Sequence, residues 1–331
     1  MPRGLEFCRW YPFSDEPVLW GKSYIPKYCD PQVLLPEQSC DGKWHMFFHS
    51  WIGVHHYVST SGIAWEPRKM IALRGHSPFI FIENENYYLI YERHDRHIPF
   101  VNNRSGEGKK ESYSVFELVS STDLETWCKP RLILDSRTIP FSGDYLKYPR
   151  ISRPQLIRIK DEYRLYFGAS HLVLPDTGQK VSRYFSCASS MLIDGPYVVN
   201  FNEPLLSPQP DDPWSNLGCG SIRVIKYNDV LYGFQCPVFW DSENKRTSSS
   251  LILLKSTDGY SWERCGEGPI LTPSNEGWTS KYIMGCDVHL KSDEKCWYCY
   301  YSAIGERKLL FSKESVGLLL GKIPSRLTEP R

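Results

Sequence analysis

Asp30 stands directly before Pro31, Ser77 before Pro78 and Arg153 before Pro154, with His76 beside the second pair. A second knot of titratable side chains runs Glu92, Arg93, His94, Asp95, Arg96, His97. Asp287 lies two residues before His289, and His171 follows Ser170. Acids, histidines and an arginine are the materials of general acid–base chemistry. One group protonates a leaving oxygen, and another activates water or attacks carbon. An arginine adds bidentate recognition of anions. Trp51 and Trp240 add flat apolar faces. Each residue also has a plainer use: an Asp before proline that only starts a strand, a loop acid paired with arginine, a core histidine, a tryptophan packing its own loop.

These positions are far apart in the chain, so the elements that carry them decide whether they meet. One stretch recurs. Ser256-Thr257-Asp258-Gly259-Tyr260-Ser261-Trp262 has the layout of Ser121-Thr122-Asp123-Leu124-Glu125-Thr126-Trp127 and of Ser59-Thr60-Ser61-Gly62-Ile63-Ala64-Trp65. Asp or Ser at the third place hydrogen-bonds backbone ahead of it, and Gly at the fourth takes positive φ cheaply. The Trp then opens an extended segment and lies over the hairpin as an anchor. Upstream of each motif a polar turn separates two strand-like runs, as in Phe79 to Ile82, Glu83 to Asn86, Tyr87 to Tyr91. Units without the Trp motif keep its place, at Ser186 to Ser190 with Asp194-Gly195-Pro196-Tyr197, and at Leu309 to Lys313.

Five units of about four strands predict an all-β chain, a five-bladed β-propeller of antiparallel strands. The expected blades are residues 30–74, 75–140, 150–210, 217–275 and 282–321 of a single domain spanning 1–331. The segment Glu16 to Trp20 is expected to pair near Leu318 to Leu320 and lock the ring. In such a ring the starts of the inner strands and the loops after the second strands share one face. Asp30, Ser77, Arg153, Gly220 and Cys286 are the aligned strand starts. The loops bring His49, Ser50, Trp51, Glu92, His94, His171, Gln235, Trp240 and Asp241 to that same face.

The bulk numbers restrict the function. The 331 residues carry a net charge of +1, which gives no electrostatic case for nucleic acid or an anionic membrane surface. No run of 18 apolar residues predicts a membrane span. Met1 to Glu6 lacks an apolar leader, so a cytoplasmic location is expected. Eleven cysteines show no disulfide framework. Cys296 and Cys299 fall on opposite faces of a strand, so reduced, buried thiols are expected. Aromatic residues make up 14%, a composition that suits strands and sugar-binding clefts.

On the five units, the Ser-Thr-Asp-x-x-x-Trp hairpins, the Asp194-Gly195-Pro196-Tyr197 variant and Asp30-Pro31, the chain resembles the five-bladed β-propeller glycoside hydrolases of families 43, 32, 62, 117 and 130. The resemblance implies a glycosidase for a short oligosaccharide, with Asp30 as general base or nucleophile. Two departures stand out. Arg153 occupies the place of the family 43 blade-three Asp, and Cys219-Gly220-Ser221 that of its blade-four Glu. They leave a non-catalytic sugar-binding propeller and a phosphate-dependent phosphorylase as alternatives.

For the proton donor the candidates are Glu92, which leaves an aromatic strand, and Asp287, as acid or as a neighbour that sets the acid's pKa. His76, His94 and His171 are placed to bind hydroxyls or to deliver the proton. Arg153 is placed to bind an anionic group, and Trp51 and Trp240 to stack on sugar rings. The expected partner is a small carbohydrate. No cofactor is required, and a structural metal in the channel would take His289 as a ligand.

Overall fold

The computed structural model describes residues 4–22, 25, 27–94, 112–143, 148–305 and 313–324. Asp95, Arg96 and His97, and Leu309 to Ser312 of the fifth unit, lie outside the described residues. Among the described residues the chain is all-β, with three single-turn 3-10 segments and no α-helix.

The strands follow the hairpin rhythm of the sequence. After β1 (Arg9–Pro12) come β2 (Cys29–Leu34), β3 (Trp44–His49), β4 (Gly53–Ser59) and β5 (Glu66–Leu73), paired in that order. The next four are β6 (Gly75–Glu83), β7 (Asn86–His94), β8 (Ser114–Ser121) and β9 (Arg131–Asp135), again paired in order. Then β10 (Ile151–Ile159), β11 (Glu162–Val173) and β12 (Lys180–Ser190) make a three-stranded sheet. The remaining strands are β13 (Gly218–Tyr227), β14 (Val230–Asp241), β15 (Arg246–Ser249), β16 (Ile252–Ser256), β17 (Glu263–Arg264), β18 (Tyr282–Lys291), β19 (Cys296–Ile304) and β20 (Glu314–Lys322). They form one sheet, but among the described residues its ladder passes from β13–β17 to β18–β20 through a single parallel pair, Ser249 with Tyr282.

Two expectations need adjusting. The sheet of β10–β12 has no fourth strand, only isolated bridges from Leu206 to Phe185 and from Val198 to Ser189. Pro196, Pro204, Pro208 and Pro210 lie in that segment, and proline cannot donate to a ladder. The closing strand is Arg9–Pro12 on β20, with Leu19 adding one bridge to Val316.

The first strands of the groups lie against one another in a cycle: β2 on β6, β6 on β10, β10 on β13, β13 on β18, and β18 on β2. An axial cavity of about 480 Å³ runs between them, walled by residues such as Val33, Phe81, Leu156, Val224 and Val288. Apolar side chains fill the spaces between neighbouring groups. Phe116 meets Phe167 across one such space, and Tyr227 meets Trp297 across another.

The recurrent Trp motif works across these spaces. Ser59, Ser121 and Ser256 cap their own turns, each Oγ accepting from the amide three residues on at 2.9, 2.9 and 2.8 Å. The fourth place has φ of 74° at Gly62, 80° at Gly259 and 60° at Leu124. Each Trp also packs edge-on against a ring of the preceding group. Trp65 meets Tyr300, Trp127 meets Phe47 and Trp262 meets Tyr166, with centroids 6.0, 6.2 and 6.0 Å apart. Tyr300 and Tyr166 also donate to the carbonyls of Gly62 and Gly259, both at 2.9 Å. The motif is therefore a dock between sheets.

Candidate functional site

Each first strand carries an irregularity at the same level. The pairing register shifts between Cys29 and Gln32, His76 and Phe79, Ser152 and Gln155, Gly218 and Ser221, and Ile283 and Cys286. A bulge re-aims side chains and bends the strand. Asp30, Ser77 and Arg153 sit in these bulges with φ of 51°, 46° and 55°, and Gly220 has 64°. Non-glycine residues take that region only when the surroundings impose it. The proline after each of the first three needs no ladder partner.

The bulges bring Asp30, Ser77 and Arg153 to one small cavity, lined also by Gln32, Gln155, Ser221, Arg223, Gly285 and Cys286. Asp30 is buried at 6% exposure. Ser77 Oγ donates to its Oδ2 at 2.8 Å, and Arg153 Nε donates to its Oδ1 at 3.2 Å. Burial pushes this carboxyl up, but the Arg153 guanidinium, His49 and the Ser77 hydroxyl together hold it below the ordinary carboxylate range. Asp30 is therefore ionised at neutral pH. A Cβ added to Gly285 would lie far inside 3.0 Å of Asp30 Oδ1, so this glycine makes room for the carboxylate.

His49 Nδ1 lies 3.6 Å from Asp30 Oδ2 and accepts the Ser77 amide at 3.0 Å. Burial pushes its pKa down to about 4, so it is neutral. Its ring meets that of His76 at 5.1 Å, and His76 stacks on His94 at 4.4 Å. Asp30, Arg153, His76 and His94 thus belong to one contiguous cluster. Glu92 faces His76 across the β6–β7 ladder and is buried in an ion pair with Arg150. His171 adjoins the cluster through Ser152, the neighbour of Arg153, with Nε2 to Oγ at 3.2 Å.

Asp287 lies elsewhere, fully buried and saturated by partners. Arg223 Nε is 2.6 Å away, His289 Nε2 is 2.7 Å away, and the amides of Val33 and Val288 donate at 2.6 and 3.1 Å. Burial raises this carboxyl, and Arg223 and His289 more than offset that, leaving it lowered. Arg223 also donates to Gln155 at 2.8 Å and covers the Phe79 ring at 4.8 Å. One network so joins β13, β18, β2, β10 and β6 across the axis, between the small cavity and the large one.

Trp51 is half-buried in the turn after β3, and Trp240 is 40% exposed near the end of β14. No ring contact or hydrogen bond among the described residues joins either to Asp30. His289, the metal ligand considered above, gives Nε2 to Asp287. Among the described residues no group of three or more His, Cys, Asp or Glu side chains is arranged to hold a metal ion.

One residue escaped the sequence reading. Glu314, the first residue of β20, is buried and accepts from Cys29 Sγ at 2.9 Å and Ser302 Oγ at 2.8 Å. Burial, with Asp30 nearby, raises its pKa despite the Lys27 charge. Nothing in its local sequence marks it, because its burial comes from packing against the segment that precedes Asp30.

No protein-family model and no curated protein sequence matches this chain. Solved structures do match it in fold. An N-acetylgalactosamine deacetylase from F. plautii in complex with blood group B trisaccharide is 14% identical, with 95% of each chain covered and a TM-score of 0.58. The α-L-arabinofuranosidase PaAbf62A from Podospora anserina in complex with cellotriose is 11% identical, covering 93% of this chain and 96% of its own, at 0.62. A family 117 glycoside hydrolase from Zobellia galactanivorans is 13% identical, covering 98% and 93%, at 0.59.

Proposed function

We propose that this chain is a glycoside hydrolase built as a five-bladed propeller, acting on a short oligosaccharide or glycoside at the end of the axis where Asp30 lies. The observation that carries this reading is the state of Asp30. It is a buried carboxylate, held ionised by a cation and a hydroxyl, at a bulge shared by all the first strands. That is what a general base or a nucleophile requires before substrate arrives. Fold likeness to an arabinofuranosidase bound to cellotriose, a family 117 glycoside hydrolase and a deacetylase bound to a trisaccharide adds weight.

The proton donor comes from the same end. Glu92 is one candidate, beside His76 and His94. Glu314 is the other, since burial already favours its protonated form. Asp287 keeps the first strands in place. The test is a panel of aryl glycosides and oligosaccharides with wild type, Asp30→Asn, Glu92→Gln and Glu314→Gln. Asp30→Asn is expected to lose at least about a hundredfold in kcat/KM. The donor variant loses the alkaline limb of the pH profile. Equal turnover by wild type and Asp30→Asn removes Asp30 from the reaction.

A second reading is favoured by one contact. Arg153 already engages an Asp30 oxygen, as in a site that binds sugar without cleaving it. Saccharide binding by calorimetry, with no turnover on any member of the panel, selects it.

A further inference from the structure

We infer that the large axial cavity is a second binding site, on the other side of the Asp287–Arg223 network from Asp30, and that it takes an uncharged aromatic molecule carrying one hydroxyl. The inference does not depend on what Asp30 does. The cavity has about 480 Å³, within the range of roughly 300–1,000 Å³ that small-molecule pockets occupy. Its walls come from the later halves of all five first strands. Phe81, Ile82, Ile157, Ile225, Tyr227 and Leu290 line it while staying only partly buried, so apolar surface is left uncovered there. Covering that surface with an apolar ligand is favourable.

The polar groups are few and placed at one end. His289 lines the cavity with its side chain 12% exposed. It gives Nε2 to the ionised Asp287 at 2.7 Å. Its Nδ1 makes no hydrogen bond among the described residues and, unlike His56 Nδ1, is not sealed from solvent. With the proton on Nε2, the Nδ1 of the neutral ring is an acceptor that lacks a donor. Arg223 lines the same cavity. It holds Asp287 with Nε and Gln155 with Nη1, which leaves Nη2 without a hydrogen bond among the described residues. A hydroxyl satisfies both groups: it donates to Nδ1 and accepts from Nη2.

Charge excludes an acid as the preferred guest. No Asp or Glu is among the described residues that line the cavity, but its cations are already matched. Arg223 faces Asp287, and Lys226 pairs with Asp229 at 3.0 Å. A carboxylate would lose its water for no unmatched cation and would meet the Nδ1 lone pair. A free sugar would turn most of its hydroxyls onto apolar walls and leave them unpaired.

The test is calorimetric titration of the full chain with para-butylphenol, its methyl ether and para-butylbenzoate. The phenol is expected to bind roughly 3- to 10-fold tighter than the ether, which cannot donate to Nδ1, as one net hydrogen bond allows. The benzoate should bind more weakly than the phenol. His289→Phe should keep binding and erase the preference for phenol over ether. Leu290→Trp, or Ile225→Trp from the neighbouring strand, fills the cavity and should abolish binding of all three.

Equal affinity for phenol and ether overturns the inference, as does tighter binding of the benzoate, or no binding of the phenol. Phenol binding that survives both tryptophan variants overturns the location. Should the variants fail to fold, the wild-type series alone decides, because the phenol, ether and benzoate share one apolar body and differ in the group offered to His289.

Discussion

Arg223→Met tests whether the cross-axis network holds the site together. Among the described residues Arg223 is the sole guanidinium on Asp287, at 2.6 Å, and Asp287 is 0% exposed. Methionine keeps much of the packing over Phe79 but removes the charge. Asp287 then retains two amides and His289, donors that do not neutralise it unless the imidazole takes a proton. Stranding a buried charge costs about 3–5 kcal/mol. For a chain of this length that is a fall in Tm of roughly 4–7 °C, from an unfolding entropy near 2.1 cal/mol/K per residue.

The pH dependence carries a further signature. Asp287 is depressed in the folded state, so its contribution is present above the unfolded carboxylate value and lost as pH falls through the folded one. Without Arg223 the depression shrinks, so the acid loss should be smaller and complete at a higher pH. The assay is urea unfolding of both proteins from pH 2 to pH 8. The double variant Arg223→Met with Asp287→Leu should regain most of the loss, since the stranded charge is gone. A single-variant loss below about 1 kcal/mol, or a double variant no better than the single, refutes the reasoning.

Gly285→Ala should force the Asp30 carboxylate aside. A loss of about 1–3 kcal/mol in stability and up to about a hundredfold in turnover is expected, with Gly268→Ala, where nothing lies within 4 Å, as the silent control. Burial holds His49 and His55 near a pKa of about 4 and His56 at about 3. The unfolded chain therefore binds more protons, and stability should fall by about 2 kcal/mol per histidine, on the order of 6 kcal/mol for the three, as pH drops from 6.5 to 4.5, measured by denaturant midpoints. Asp258→Ala removes an acceptor for the Tyr260 and Ser261 amides at 2.7 and 2.8 Å. It should cost about 1 kcal/mol in urea unfolding, with no change in ligand binding.

The sequence by itself determined the all-β hairpin rhythm, because polar turns and aromatic runs are local signals that each segment carries alone. Ser59, Ser121 and Ser256 sit where their hydroxyls reach amides three residues away, a contact a linear pattern can encode. It also placed Asp30, Ser77 and Arg153 at equivalent strand starts, through the proline that follows each. Only the tertiary structure decided what these residues became. The Trp of each motif meets a ring more than 75 residues away in sequence, so its partner was invisible locally. Asp287 reads in the sequence like Asp30, an acid at an inner strand, yet Arg223, His289 and a backbone amide from the far end of the chain enclose it. Glu314 looked like an ordinary charged residue until burial beside Cys29 and Ser302 raised its pKa. Burial and charge pairing depend on which distant segments converge, and that is fixed by packing around the axis, not by the order of residues along any one strand.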